Sequence, residues 1–409
     1  MNKNNNITLI GINYYPEDSS TGLYSTQMTD YLSENGFDVD IITGFPYYPQ
    51  WQIWDSYKDK KKFVDEDYGN IKIHRYRQYV PKIPTFRKRI FHLTDFTLGS
   101  LRNLFKVKKC DVVIAIVPFT TSVLLGLILA KMRGAKLWVH IQDFEFDAAK
   151  ESGLAGKKGM SVKVFGLLMK IEAWLLRRAD IVSTISNSMI DKLETKTKTD
   201  NYLFPNWVDP EDINPETSTV HDLMKSPKFK ILYSGNIGAK QDWEFFIKIL
   251  EHYNNSKNIE FIVVGAGARK EKLVEETSHI TNISHYEPIK FAELSNLLCS
   301  ADLHILFQKN DVVDTVMPSK ILGMMASAKP SIVTGNLKSE SATLFGESEG
   351  GYFFDSDSLN DVIKAIDLLV SDVDIADKVG KKAREYIVDS FSKEKVLGNF
   401  KDKVDSIIN

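Results

Sequence analysis

Cysteine is nearly absent, with Cys110 and Cys299 the two such residues in a chain of 409. Their separation excludes a disulfide framework and any cysteine-based metal or redox spacing, and fits a reducing compartment. An excess of one charge is also missing. The net charge of −2 gives no global attraction to nucleic acid, so any basic surface must be local. Low-complexity tracts and repeats shorter than a domain are lacking too. Residues 1–6 are polar and lead into a strand, which predicts no signal peptide and a cytoplasmic protein. One long uncharged run, 112–130, approaches the length of a membrane span. It is broken by Pro118, Thr120, Thr121 and Ser122, so it reads as a buried strand, a loop and the start of a helix.

The remaining composition, 43% hydrophobic and 26% charged, is that of a globular protein long enough for two domains. Short apolar runs alternate with amphipathic stretches from 7–12 to 202–204. The segment 205–227 breaks this rhythm with Pro205, Pro210, Pro215 and Pro227, and the alternation resumes at 229–233 and runs to 352–354. A helical region follows from about Leu359, broken near Phe391. The expected fold is α/β, with two Rossmann-like doubly wound domains. Their boundaries are expected at 1–205 and 228–385, with 206–227 a linker and 386–409 a C-terminal helix returning to the first domain. Such sheets bind ligands at their strand C-termini, here facing a common cleft.

Phe229-Lys-Ile-Leu-Tyr-Ser-Gly-Asn-Ile-Gly238 reads as strand then glycine turn, with a helix beginning just past Gln241. Free amides and a helix dipole at Gly235 and Asn236, beside Lys240, suit a diphosphate. The bland alternative is an ordinary βα turn with an exposed lysine. Ser19, Ser20, Thr21 and Gly22 precede another helix, as an anion site or a plain N-cap. His140, Gln142, Asp143, Glu145 and Asp147 leave a strand end. Asp143 and His140 are candidate bases there, with a satisfied core residue as the alternative for His140. Gly265 and Gly267 would let a ligand approach the backbone, but a full dinucleotide fingerprint is missing. Pro318, Ser319 and Lys320 open a helix after Asp311 and Asp314, which are placed to hold sugar or ribose hydroxyls. Asp-x-Asp pairs at Asp38, Asp65, Asp355 and Asp372 lie in acidic stretches and predict no metal site.

Five segments together carry a family resemblance: Asn13-Tyr-Tyr-Pro-Glu17 with Thr21-Gly22, His140-Ile-Gln-Asp-Phe-Glu145, Pro205-Asn-Trp-Val-Asp209, Ser234-Gly-Asn-Ile-Gly238 with Lys240, and Met317-Pro-Ser-Lys320. Over essentially its whole length the chain resembles family-4 retaining glycosyltransferases of the GT-B type, nearest to those of capsule and colanic-acid-type polysaccharide biosynthesis. The resemblance implies an acceptor domain followed by a nucleotide-sugar domain, with transfer from a UDP-sugar, or a GDP-sugar, to a saccharide or undecaprenyl-linked acceptor. It places Gly22 near the transferring phosphate, and Gly235, Asn236 and Lys240 on the donor diphosphate, faced by Ser319 and Lys320. No metal or cofactor is required. The chain departs from the family at Thr21, where many members have glycine, and at Thr315 and Gly323, where many have glutamate. The frequent family histidine falls at either Gln142 or His140. A nucleotide-sugar epimerase, an NAD enzyme and a non-catalytic partner are the alternatives. Residues 72–109 hold eleven Lys or Arg and one acid, Asp95, among aromatics, which suits an anionic membrane surface, a solvated face or a nucleic-acid patch.

Overall fold

The computed structural model describes residues 5–18, 20–118, 120–144, 162–310 and 319–408, without the side chains of Ser20, Phe86, Val162, Lys163, Val164 and Ser319. The chain divides into two compact units, one of residues 1–205 with 397–409, the other of residues 206–396.

The first unit is built on an eight-stranded sheet in the order β3-β4-β2-β1-β5-β6-β7-β8. The strands are β1 (Asn6–Ile10), β2 (Asp38–Gly44), β3 (Phe63–Tyr68), β4 (Ile71–Tyr76), β5 (Val112–Val117), β6 (Lys136–Ile141), β7 (Ile181–Thr184) and β8 (Asp200–Leu203). All pair in parallel except β3, which runs antiparallel to β4. The helices are α1 (Ser20–Glu34), α2 (Asp55–Lys58), α3 (Phe86–Ser100), α4 (Thr120–Arg133), α5 (Val162–Leu176) and α6 (Asn187–Lys196). Every residue of β5 is buried, as a central strand covered on both faces requires. The links through α3, α4 and α5 all step the same way across the sheet. Right-handed crossovers therefore put these three helices on one face and α1, which steps the other way, on the opposite one.

The second unit holds a fully parallel sheet in the order β11-β10-β9-β12-β13-β14. It comprises β9 (Phe229–Ser234), β10 (Ile259–Val264), β11 (Ile283–Tyr286), β12 (Leu303–Phe307), β13 (Ser331–Gly335) and β14 (Tyr352–Asp355). Around it lie α7 (Trp243–Tyr253), α8 (Lys270–Glu276), α9 (Leu294–Cys299), α10 (Ser319–Ala326), α11 (Glu340–Ser348), α12 (Leu359–Ser371) and α13 (Val373–Phe391). Residues 206–227 do not hang free, because Val208, Ile213 and Met224 are buried in this unit's core. The last helix, α14 (Lys393–Ile408), puts Phe400 in stacked contact with Phe204, 4.4 Å between centroids, and edge-on to Trp138. Those rings belong to the first unit, as do the helix residues from Leu397 onward.

Two strand-end turns in the second unit touch closely enough to dictate their sequence. A Cβ on Gly265 would lie 1.9 Å from the carbonyl oxygen of Gly235, and one on Gly267 would lie 2.3 Å from that of Ile237. The close approach permitted by these glycines is thus made by the neighbouring turn of the same chain. Gly265→Ala should cost about 2 kcal/mol through overpacking. A thermal melt of the variant is expected to show a midpoint about 4–8 °C lower.

Candidate active site

The turn after β9 was expected to offer open amides at the start of a helix. Three of the turn's amides are instead engaged within the chain. Gly235 N–H donates to Val264 O at 2.9 Å and Ile237 N–H to Ala266 O at 2.9 Å. Gly238 N–H is taken by Gln241 Oε1 at 3.1 Å. Helix α7 is already capped, since the Asp242 carboxylate accepts from Phe245 N–H at 3.1 Å. A carboxylate at that position satisfies the helix dipole and repels a phosphate.

The anion-attracting feature lies one step away, on α10. Lys320 Nζ donates to the Tyr233 hydroxyl at 3.1 Å and sits 4.8 Å from the centre of the Tyr233 ring. Tyr233 Oη in turn donates to Asn236 O at 2.7 Å, so the hydroxyl links the lysine to the turn. Trp243 packs edge-on against Tyr233 and ties Gly238 O through Nε1 at 2.7 Å. Gly235 has φ +136, and a Cβ there would fall 3.0 Å from Lys320 Nζ. The missing side chain is what leaves space beside the ammonium.

Burial lowers the Lys320 pKa to about 8. Among the described residues no carboxylate forms an ion pair with Lys320, nor with the exposed Lys240 on the same turn as Gly235. A partly desolvated cation without a counter-ion is costly, and an anion beside Gly235 would offset that cost. Asn236 is exposed, with its side-chain amide beside Gly238 and Gly267. Ser319 opens α10, but its side chain lies outside the described residues, as do Asp311 and Asp314 entirely.

In the first unit, His140 is a core residue. Its Nδ1 is 2.9 Å from Ser183 Oγ, and Gln142 Nε2 donates to its Nε2 at 2.8 Å. Burial depresses its pKa to about 3, so it stays neutral with both nitrogens engaged and no lone pair open to a substrate. Asp143 is half-buried just beyond the end of β6; Glu145 and Asp147 are outside the described residues.

Gly22 lies in the first turn of α1, where a Cβ would meet Glu17 O at 2.9 Å. Glu17, the last residue of the Asn13–Glu17 motif, organises this end of the sheet. It is buried, and its carboxylate accepts from Tyr47 N at 2.6 Å, Tyr48 N at 2.7 Å and Asn13 Nδ2 at 2.7 Å. Burial raises its pKa while those donors pull it back. Arg75 was missed. It is fully buried and donates to Glu66 Oε2 at 2.9 Å, Gly44 O at 3.2 Å and Tyr15 O at 2.5 Å. No sequence signal marked it, because its partners come from three separate segments.

Residues 21–206 match the glycosyl transferase 4-like domain family, and residues 228–372 match glycosyl transferases group 1. The "Putative colanic acid biosynthesis glycosyl transferase WcaI" of Escherichia coli (strain K12) is 33% identical, covering 96% of this chain and 98% of its own length. Among solved structures, sucrose-phosphate synthase from Thermosynechococcus elongatus superposes with a TM-score of 0.73 at 15% identity, covering 98% of this chain and 99% of that one. HepE of Anabaena in complex with UDP-glucose gives 0.68 at 11% identity, covering 98% and 99%. The chain belongs to the glycosyltransferases of GT-B fold, with a 4-like N-terminal domain and a group 1 C-terminal domain.

Proposed function

We propose that the protein transfers a sugar from a nucleoside-diphosphate donor, a UDP-sugar, to a saccharide acceptor in cell-surface polysaccharide biosynthesis, with retention of anomeric configuration. The observation that carries this reading is the Lys320 ammonium held by Tyr233 beside Gly235, without an ion-pair partner among the described residues. The relative named for colanic acid biosynthesis supports the polysaccharide role, and the UDP-glucose complex of HepE supports the nucleotide.

In the proposed step the bond between the sugar C1 and the diphosphate oxygen breaks, and its electron pair leaves with the diphosphate. The acceptor hydroxyl attacks C1 from the same face, and its proton passes to a departing phosphate oxygen. Positive charge develops on the sugar and negative charge on the leaving group. Lys320 stabilises that leaving group as a preorganised donor that costs no reorganisation during reaction, with Lys240 adding a second charge. His140 takes no part. Asp143 at the end of β6 is assigned to the acceptor. Product of inverted configuration in an NMR assay would overturn the retaining step.

The protonated form of Lys320 is the one that binds a diphosphate. With its pKa at about 8 in the free protein, affinity for UDP is expected to be flat below that pH. Above it, affinity should fall by up to roughly tenfold per unit as the ammonium must be reprotonated on binding. Calorimetric titrations across this range check the sign. Lys320→Arg, which stays cationic, should flatten the profile.

The acceptor in this reading is lipid-linked, of undecaprenyl type, and is met at the inner face of the cell membrane. The exposed Arg87, Lys88 and Arg89 at the start of α3 support that placement. No described helix is long and apolar enough to cross a membrane.

A further inference from the structure

Residues 45–54, after β2, and 77–85, between β4 and α3, flank His92 of α3 at the edge where the parallel strands of the first unit end. Open α/β sheets bind ligands at that edge. Both loops are tied in place. Gln78 brackets Phe45, accepting from its N–H at 2.8 Å and donating to its carbonyl at 2.9 Å. The bonds from Tyr47 N and Tyr48 N to Glu17 hold the first loop from another side. Tyr79 is fixed through both of its backbone groups. Its N–H donates to Asp95 at 2.7 Å, and its carbonyl accepts from His92 Nδ1.

That carbonyl decides the tautomer of His92. A carbonyl only accepts, so Nδ1 carries the proton, and in the neutral ring Nε2 is left as a bare lone pair. Burial favours the neutral ring. His92 is 1% exposed, yet its Nε2 has no hydrogen-bond partner among the described residues. Buried acceptors are normally satisfied, and one that is not calls for an explanation. The imidazole is walled by Tyr47, 4.8 Å away between centroids, and by Trp51 at 5.8 Å. Trp51 is half-buried, has a left-handed φ of +53, and carries the Arg89 guanidinium 5.0 Å from its ring centre. That backbone conformation is unfavourable for a bulky side chain and is kept where a site requires it.

We propose that His92 is a specificity-determining residue for the acceptor: one hydroxyl of the acceptor sugar donates to Nε2, and the sugar's apolar face lies on Trp51, whose ring is displaced from His92 as the sugar enters. The chemistry of the site selects this occupant. A lone pair needs a donor and repels phosphate or carboxylate oxygens, while the aromatic walls need an apolar face. A sugar ring presents both at once. Arg89, beside Trp51, adds donors for the sugar's other oxygens. The site's purpose rests on the saccharide acceptor proposed above.

Methyl glycosides of glucose, galactose, mannose, fucose and N-acetylglucosamine serve as probes, titrated into the full chain carrying nitrogen-labelled histidine. At least one should bind and move the His92 Nε2 resonance upfield, from that of a bare nitrogen toward that of a hydrogen-bonded one. Among its deoxy analogues, one should bind the wild type about tenfold more weakly, the worth of one neutral hydrogen bond. His92→Asn, whose amide can still donate to Tyr79 O, should lose the same tenfold and be indifferent to that deoxy change. Trp51→Ala should also weaken binding by about tenfold, and it keeps the test open if His92→Asn does not fold.

Binding of none of these glycosides would overturn the proposal. So would binding that leaves Nε2 unmoved, or a hydroxyl effect that persists in His92→Asn. An Nε2 resonance already that of a bonded nitrogen in the free protein, the sign of a permanent water, would do the same. Glycoside binding at His92 without transfer from any UDP-sugar would sink the function proposed above and leave this site standing. Transfer that His92→Asn leaves unchanged would sink this site alone.

Discussion

Replacing Lys320 by alanine should lower kcat/KM by about a hundred- to a thousandfold, the range found when one preorganised charge-stabilising donor is removed. It should also abolish the thermal stabilisation given by UDP, which follows ligand affinity. The same variant should melt no lower than the wild type without ligand. Lys320 forms no ion pair among the described residues, and burial opposes its charge, so losing it relieves a desolvation cost. Opposite signs in the two melts separate a binding role from a structural one. Tyr233→Phe should give a milder version of the same result. The ring would remain against Trp243, but the hydroxyl joining Lys320 to Asn236 would be gone.

Arg75→Ala is expected to destabilise the protein by about 3–5 kcal/mol, because breaking a buried ion pair leaves its partner uncompensated. That corresponds to a midpoint lower by about 10 °C, read from a thermal melt. Glu66 would keep only the bonds from Tyr57 Oη at 2.8 Å and Lys60 Nζ at 3.3 Å. The carbonyls of Tyr15, in the loop after β1, and of Gly44, the last residue of β2, would lose donors. Arg75→Lys should recover only part of the loss, since one ammonium cannot reproduce a three-way guanidinium fork.

Much of the fold was legible because its strands are apolar and central. Residues 112–117 and 229–233 are runs that only a covered parallel strand explains, and both lie mid-sheet. β3 was not legible. Its sequence, Phe-Val-Asp-Glu-Asp-Tyr, looks like an acidic loop. It forms an edge strand because its acids meet β4 cations: Asp65 bonds His74 at 2.8 Å and Glu66 bonds Arg75 at 2.9 Å. A single sequence does not show such long-range compensation.

The site divides in the same way. Glycines at 235, 265 and 267 were visible, but the need for the last two comes from one turn packing on another. Composition around the β9 turn pointed to an anion near its helix, and Asp242 as the cap of α7 moves the charge centre to Lys320 instead. The tie between Lys320 and Tyr233 spans 87 residues and has no local signature. His140 shows the converse, since its strand position suggested chemistry while its two bonded nitrogens make it part of the core.

The central claim is that Lys320 holds the diphosphate of the donor, and a crystal structure with UDP bound tests it most directly. A phosphate oxygen is expected about 2.7–2.9 Å from Lys320 Nζ, the distance of a charge-assisted bond, in the space left by Gly235. A diphosphate seated elsewhere, with Lys320 still bonded to Tyr233 alone, would contradict it.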